Sequence, residues 1–120
     1  MTRARETSEN ERQAKAWVNF QGTYNSSTFT EANGAIRNAF NVSSVTSNTA
    51  GVYTVNFETA LEDTNYIFVT FRRDNGDDST VVNNCASKAS DTKTTTALTV
   101  RSVYNSTSSD SPEVNIIVFG

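Results

Sequence analysis

Apolar and polar residues alternate along several short stretches of this chain, which is the pattern of β-strands with one buried face. In residues 16–21, three apolar side chains of one parity alternate with the other parity, and in residues 52–57 the same holds. The sets that share one face are Ala16, Val18 and Phe20 in the first stretch and Tyr53, Val55 and Phe57 in the second. Helices would instead show an apolar period of 3.6 residues, so these stretches predict strands.

Further strands are predicted at residues 35–45, 66–71, 80–87, 95–104 and 114–119. Residues 66–71 (YIFVTF) form the most apolar run, which predicts a central strand. Gly, Asn, Ser and Asp separate the strands, and these residues favour turns. Many short strands at this spacing are typical of an all-β fold, an antiparallel β-sandwich or jelly-roll-like domain.

The chain divides into a charged arm, residues 1–14, and a β-sandwich domain, residues 15–120. Ser8 and Glu11 fit a helix capping box, so the arm is predicted to be a solvated tail, a short helix or an attachment arm ordered by a partner. The first and last strands of the domain are both strongly apolar. Their apolar side chains can be buried in two ways: the two strands can pair with each other at the centre of the domain, or they can pack against another subunit.

Composition supports the β prediction and narrows the partners. The 120 residues include 18 Thr, 14 Ser and 14 Asn, types that favour strands and turns over helix interiors. The net charge is −3, and no basic cluster exceeds the pair Arg72 and Arg73, so nucleic acid is not expected as a partner. No apolar run is long enough for a membrane span. The N-terminus lacks the apolar segment of a secretory signal, so synthesis in a cytoplasm is expected.

Candidate chemistry is sparse. The chain has no histidine and one cysteine, Cys85, which removes the usual zinc sites, catalytic triads and intrachain disulfides. Cys85 is predicted to be a small hydrophobe in a strand. Glu58, Glu62 and Asp63 could imitate a glycosidase carboxylate pair, but nothing in the sequence places them across a cleft. We therefore predict no catalytic residues, no cofactor and no metal. The acidic turn at residues 74–78 (DNGDD) fits a solvated hairpin tip, with calcium binding as the open alternative.

Three blocks of this sequence carry a resemblance: AKAWVNFQGT from Ala14, GAIRNAFNVSSVTSNTAGVYTVNFETALEDTNYIF from Gly34, and VNIIVFG from Val114. Together they resemble a module of bacteriophage structural proteins. That module recurs at the C-termini of tail fibres and in small virion proteins, notably of phages that infect marine bacteria and cyanobacteria. The resemblance spans about 105 residues, from Ala14 to Gly120.

The resemblance implies a non-enzymatic virion protein, made in the host cytoplasm. Such modules form homotrimeric fibre tips, knobs or head decorations, and here residues 1–14 would join another virion protein. A subunit interface is expected at Trp17, Phe20, Ile36 and Phe40. Trp17 is the strongest candidate, because tryptophan is enriched at interfaces, with a place in the domain's own core as the alternative. The alternative function is receptor binding to a host surface glycan or protein through loops that contain Tyr24, Asn75, Asp77 and Asn105.

Overall fold

The computed structural model of the chain describes residues 14–73, 93–102 and 110–120, and the backbone of residues 83–87, 103–104 and 107–108. These parts of the chain contain ten β-strands and no helix. The strands are β1 Ala14–Phe20, β2 Thr28–Phe29, β3 Ile36–Phe40, β4 Val42–Thr49, β5 Val52–Phe57, β6 Ile67–Arg72, β7 Asn83–Ser87, β8 Ala97–Tyr104, β9 Thr107–Ser108 and β10 Val114–Phe119. The predicted arm, apart from its last residue, lies outside the described residues.

The strands form two sheets in which every pairing is antiparallel. Sheet A has the order β3-β1-β10-β6, and sheet B has the order β2-β4-β5-β8-β7, with β9 beside β8. Buried side chains from both sheets form one hydrophobic core. The prediction of an all-β antiparallel sandwich is therefore confirmed.

The first and last strands pair with each other at the centre of sheet A. Across this pairing, Ala16 is opposite Val118, and Phe20 is opposite Val114. All four side chains are buried in the core. Of the two alternatives that the sequence left open for the terminal strands, central pairing is the one realised, and it places two apolar strands where each has a neighbour on both sides.

An aromatic cluster fills one end of the core. The Phe20 ring contacts the Tyr53 ring edge-on, with centroids 5.0 Å apart, and both lie near Phe29 at 5.8 Å and 6.1 Å. Such tilted and edge-to-face pairs stabilise a core beyond the area they bury. The alternation predicted for β1 and β5 is confirmed, and the structure shows that Tyr53, Val55 and Phe57 form the buried set of β5.

The chain passes from sheet A to sheet B at Asn41. The sequence predicted a single strand over residues 35–45, and this was wrong, because β3 and β4 lie in different sheets. Asn41 has a φ of 55°, a left-handed conformation that Asn tolerates better than most residues. Its amide donates to the carbonyl oxygens of Lys15 and Thr59, both at 3.1 Å, and its Oδ1 accepts the Thr59 N–H at 2.7 Å. These bonds fix the crossing.

Strand β6 corrects a second prediction. The run at residues 66–71 was expected to be central, but β6 ends the order of described strands in sheet A. Its partner on the other side is β10, with Phe71 opposite Asn115 and Val69 opposite Ile117. The acidic turn at residues 74–78 lies outside the described residues. Because the flanking strands β6 and β7 belong to different sheets, they do not form the predicted hairpin.

Candidate functional site

The side of sheet A that faces away from the core is mostly apolar. One row across the sheet runs from Phe40 to Trp17, Ile117 and Val69, each opposite the next on adjacent strands. Phe40, Ile67, Val69 and Phe71 are between 50% and 64% exposed. We call this surface the outer apolar face, and its residues are Trp17, Phe40, Ile67, Val69, Phe71, Ile117 and Phe119. A sheet face exposed to water ordinarily carries polar residues at these positions.

A groove of about 610 Å³ crosses the outer apolar face, with Trp17, Phe71 and Phe119 among its lining residues. Its polar lining includes Asn19 and Asn115, which face each other across β1 and β10. Asn19 Nδ2 donates to Asn115 Oδ1 at 2.5 Å, and Asn19 Oδ1 accepts from Arg37 Nη1 at 3.3 Å. Asn115 Nδ2 in turn donates to Glu113 Oε2 at 3.3 Å. These amides already have partners, so covering them leaves few polar groups unsatisfied.

Two of the four residues predicted for the interface lie on the outer apolar face, and the other two lie in the core. Trp17 and Phe40 lie on the outer apolar face, so Trp17 is not part of the inter-sheet core. Phe20 is 0% exposed and Ile36 is 3% exposed, which places both inside the core of one chain. Sequence reasoning also missed Ile67, Val69 and Phe71, because the most apolar run of the chain was interpreted as a central strand.

A second surface is formed by loops at one end of the sandwich. A polar cleft of about 390 Å³ lies between the loop after β1 and the turn that joins β4 to β5, and Asp110 also lines it. Tyr24, one of the predicted loop residues, is in this cleft. We call it the loop cleft, and its lining residues are Gly22, Tyr24, Asn25, Ser26, Ser27, Phe29, Ser47, Asn48, Thr49, Ala50 and Asp110. The other predicted loop residues, Asn75, Asp77 and Asn105, lie outside the described residues.

Below the loop cleft, Tyr53 and Asp110 join three segments of the chain. Asp110 Oδ1 accepts the Gly51 N–H at 2.8 Å and lies 3.0 Å from the Tyr53 hydroxyl. That hydroxyl is also 3.1 Å from the Gly22 carbonyl oxygen and accepts the Ser111 N–H at 3.3 Å. Burial raises the pKa of Tyr53 far above its usual value, and the Asp110 carboxylate raises it further. The phenol therefore stays protonated and acts as a structural donor.

Arg72 lies buried at the same end of the sandwich, where its positive charge lowers the pKa of Tyr53 and partly offsets these effects. Its Nη2 is 3.5 Å from the Asp110 carbonyl oxygen.

The candidate carboxylates lie in the segment after β5. Glu58, Glu62 and Asp63 are all exposed, and Asp63 Oδ1 accepts the Asn65 N–H at 2.8 Å in a local turn. Glu62 and Asp63 line a pocket of about 260 Å³ together with Lys15 and Tyr66. Cys85 lies in a strand, as predicted, and its side chain is outside the described residues. Among the side chains that are described, no group of three or more acidic or cysteine residues is placed to hold a metal ion.

No helix in the described part of the chain is long and apolar enough to cross a membrane. Comparison with known proteins gave no match: no protein-family model, no curated protein and no solved structure is significantly similar to this chain. The features of the chain that bear on its function are the outer apolar face, the loop cleft and the resemblance of the sequence blocks.

Proposed function

We propose that this chain is a non-enzymatic structural module that assembles with copies of itself through the outer apolar face. The resemblance to bacteriophage modules supplies the biological setting, a homotrimeric fibre tip, knob or head decoration in a virion, anchored through residues 1–14. The observation that carries the proposal is the exposure of Phe40, Ile67, Val69 and Phe71 on one continuous sheet face.

The size of the face supports an interface between subunits. A whole aromatic side chain offers about 200 Å² of surface, so Phe40 and Phe71 at half exposure contribute about 100 Å² each. Ile67 and Val69 add a similar area, which gives roughly 400 Å². That is within the range of about 300–600 Å² for the largest patch on a monomer, which is often functional. It is also about half of the ~800 Å² that each partner buries in a standard interface.

The chemistry of the face favours another copy as the partner. Its centre is uncharged, and its polar groups are bonded within the chain through Asn19 and Asn115. At the same end of the sheet, Arg37 and Glu113 carry opposite charges and bond to those amides. A face without a dominant charge suits neither nucleic acid nor a strongly charged protein. In a ring of three copies, one part of this apolar face packs against another part of the same face on the next copy, so both sides of each contact are apolar.

Light scattering on a sizing column tests this proposal with the full chain. We expect a native mass near three times the 13.1 kDa of one chain. Phe71→Glu introduces a charge on the exposed face and should yield a single-chain mass with the circular dichroism of the parent. Thr64→Glu introduces the same side chain at an exposed position outside the face and should leave the mass unchanged. A monomeric parent, or a Phe71→Glu variant that still assembles, would refute the proposal.

The loop cleft favours a second function, receptor binding to a host surface through loops. The two functions are compatible, because the cleft and the outer apolar face share none of their lining residues. If receptor binding is correct, substitutions in the cleft should reduce adsorption to host cells without changing assembly. Equal adsorption by cleft variants and the parent would remove this second function.

A further inference from the structure

Backbone hydrogen bonds fix the positions of the walls of the loop cleft. The Ser47 N–H donates to the Ser27 carbonyl oxygen at 2.8 Å, which ties one wall to the other. Within the loop after β1, the Tyr24 N–H donates to Gln21 at 3.2 Å and the Ser26 N–H donates to Tyr24 at 2.9 Å. A cleft that is already formed in the free protein does not have to order its loops when a ligand binds.

Several side chains on the cleft have hydrogen-bonding groups that no described residue uses. Among them are the hydroxyl of Tyr24 and the amides of Asn25 and Asn48. Each can both donate and accept, since an amide has two N–H donors and a carbonyl acceptor and a phenol has one of each. The groups come from the loop after β1 and from the end of β4, so they converge from two walls on one volume.

The Tyr24 ring supplies an apolar surface beside these polar groups. It packs edge-on against the buried Phe29 ring, with an interplanar angle of 83° and centroids 6.2 Å apart. That contact fixes the orientation of the ring while Tyr24 remains partly exposed. An aromatic face next to neutral donors and acceptors suits a ligand whose surface is apolar on one side and rich in hydroxyls on the other.

Charge excludes the other common ligands. Among the lining residues that the structure describes, Asp110 is the one that carries a charge, and its Oδ1 already accepts from Gly51 and Tyr53. Because these described residues include no lysine or arginine, they offer no counter-charge for a phosphate, a sulfate or a sialic acid. One carboxylate is also too few for the six to eight oxygen ligands that calcium takes.

We propose that the loop cleft binds a neutral saccharide, with the sugar ring against Tyr24 and its hydroxyls bonded to Asn25 and Asn48. The inference rests on the second proposed function and names the class of its ligand. The volume of about 390 Å³ lies in the range of small-molecule sites and accommodates one or two sugar rings.

The test is saturation-transfer NMR of the full chain with glucose, galactose, N-acetylglucosamine and their β-linked disaccharides, beside sialic acid, each at up to about 10 mM, where weak sites of this affinity are populated. At least one neutral sugar should bind, and sialic acid should not. Asn48→Ala should weaken binding about tenfold, the effect of losing one good hydrogen bond. Asn65→Ala, an exposed amide far along the chain, should bind like the parent. Tyr24→Phe should weaken binding less than Tyr24→Ala, because it keeps the ring.

Absence of binding by every neutral sugar, preference for sialic acid, or unchanged binding in both Asn48→Ala and Tyr24→Ala would each overturn the inference. Adsorption of the labelled protein to marine bacterial and cyanobacterial cells, before and after periodate oxidation, separates it from the function on which it rests. Equal adsorption to untreated and oxidised cells would keep receptor binding and refute the saccharide. The native mass of the same samples reports assembly independently.

Discussion

Replacing Tyr53 with Phe should destabilise the fold more than its single missing oxygen suggests. The hydroxyl is within hydrogen-bond distance of Gly22, Asp110 and Ser111, which lie in the loop after β1 and in the segment before β10. The ring itself is buried between Phe20 and Phe29. Phe keeps that packing, so the change isolates the hydroxyl as the group that ties these segments together.

The magnitude follows from what is lost and what is left behind. A hydrogen bond to a charged acceptor such as Asp110 is worth about 1.5–3 kcal/mol. The buried Ser111 N–H loses its acceptor and adds a penalty of about 1 kcal/mol or more. We expect a decrease in the free energy of unfolding of about 3 kcal/mol. For a chain of this length, each kcal/mol shifts the melting temperature by about 4 °C, so the midpoint should fall by about 12 °C.

Urea unfolding at pH 7 and thermal melting by circular dichroism measure this change. Tyr66→Phe is the matched control, because it removes the same atom from a buried tyrosine whose hydroxyl, among the described residues, lies within hydrogen-bond distance of the carbonyl oxygens of Thr94 and Ala97 alone, at 3.1 Å and 3.2 Å. Tyr66→Phe should cost about 1 kcal/mol. If Tyr53→Phe destabilises the chain no more than Tyr66→Phe, the reasoning about the Tyr53 and Asp110 contact is wrong.

Three further predictions concern the stability of the fold. Asn41→Ala should lower the free energy of unfolding by about 3 kcal/mol, since it removes three hydrogen bonds and places Ala at a positive φ. Asn41→Gly loses the same bonds but adopts a positive φ without strain, so it should cost about 1 kcal/mol less. Equal urea midpoints for the two variants would contradict this. Gly22→Ala would place a Cβ against Tyr53 Oη and 2.5 Å from the Ser111 carbonyl oxygen, so thermal melting should show a loss of about 2 kcal/mol or more, and a neutral effect would count against the close approach. Burial raises the pKa of both Tyr53 and Tyr66, so their contribution to stability is complete below the unfolded value of about 10 and is lost as the pH rises above it; urea titrations between pH 7 and 11 should show this decline, and Tyr53→Phe should flatten it.

The strands and the alternation along several of them could be predicted because alternation is a local property. Side chains in a strand point to opposite faces with a period of two. Alternation therefore places Ala16, Val18 and Phe20 on one face of β1, whichever strands lie beside it. In the same way it places Tyr53, Val55 and Phe57 on one face of β5. The bounds of β10 and the turn chemistry at Gly51 followed in the same way.

The sequence could not assign strands to sheets. Asn41 divides one apparent strand into two because its backbone enters the left-handed region, where bonds to Lys15 and Thr59 hold it. Those partners are 26 and 18 residues away. The place of β6 at the end of the described strands of sheet A likewise depends on its pairing with β10, more than 40 residues further along the chain.

The same limit of local sequence information applies to the two candidate surfaces. The sequence does not show whether an apolar side chain faces the core or the outer apolar face. Phe20 and Phe40 were therefore both predicted at the subunit interface, although of these two only Phe40 is exposed. Tyr24 could be singled out as a loop residue, but Asn48 reaches the same cleft through the pairing of β2 with β4. Local alternation and turn chemistry thus determined the strands of this protein, whereas the long-range pairing of those strands decided which side chains meet and which apolar face remains exposed.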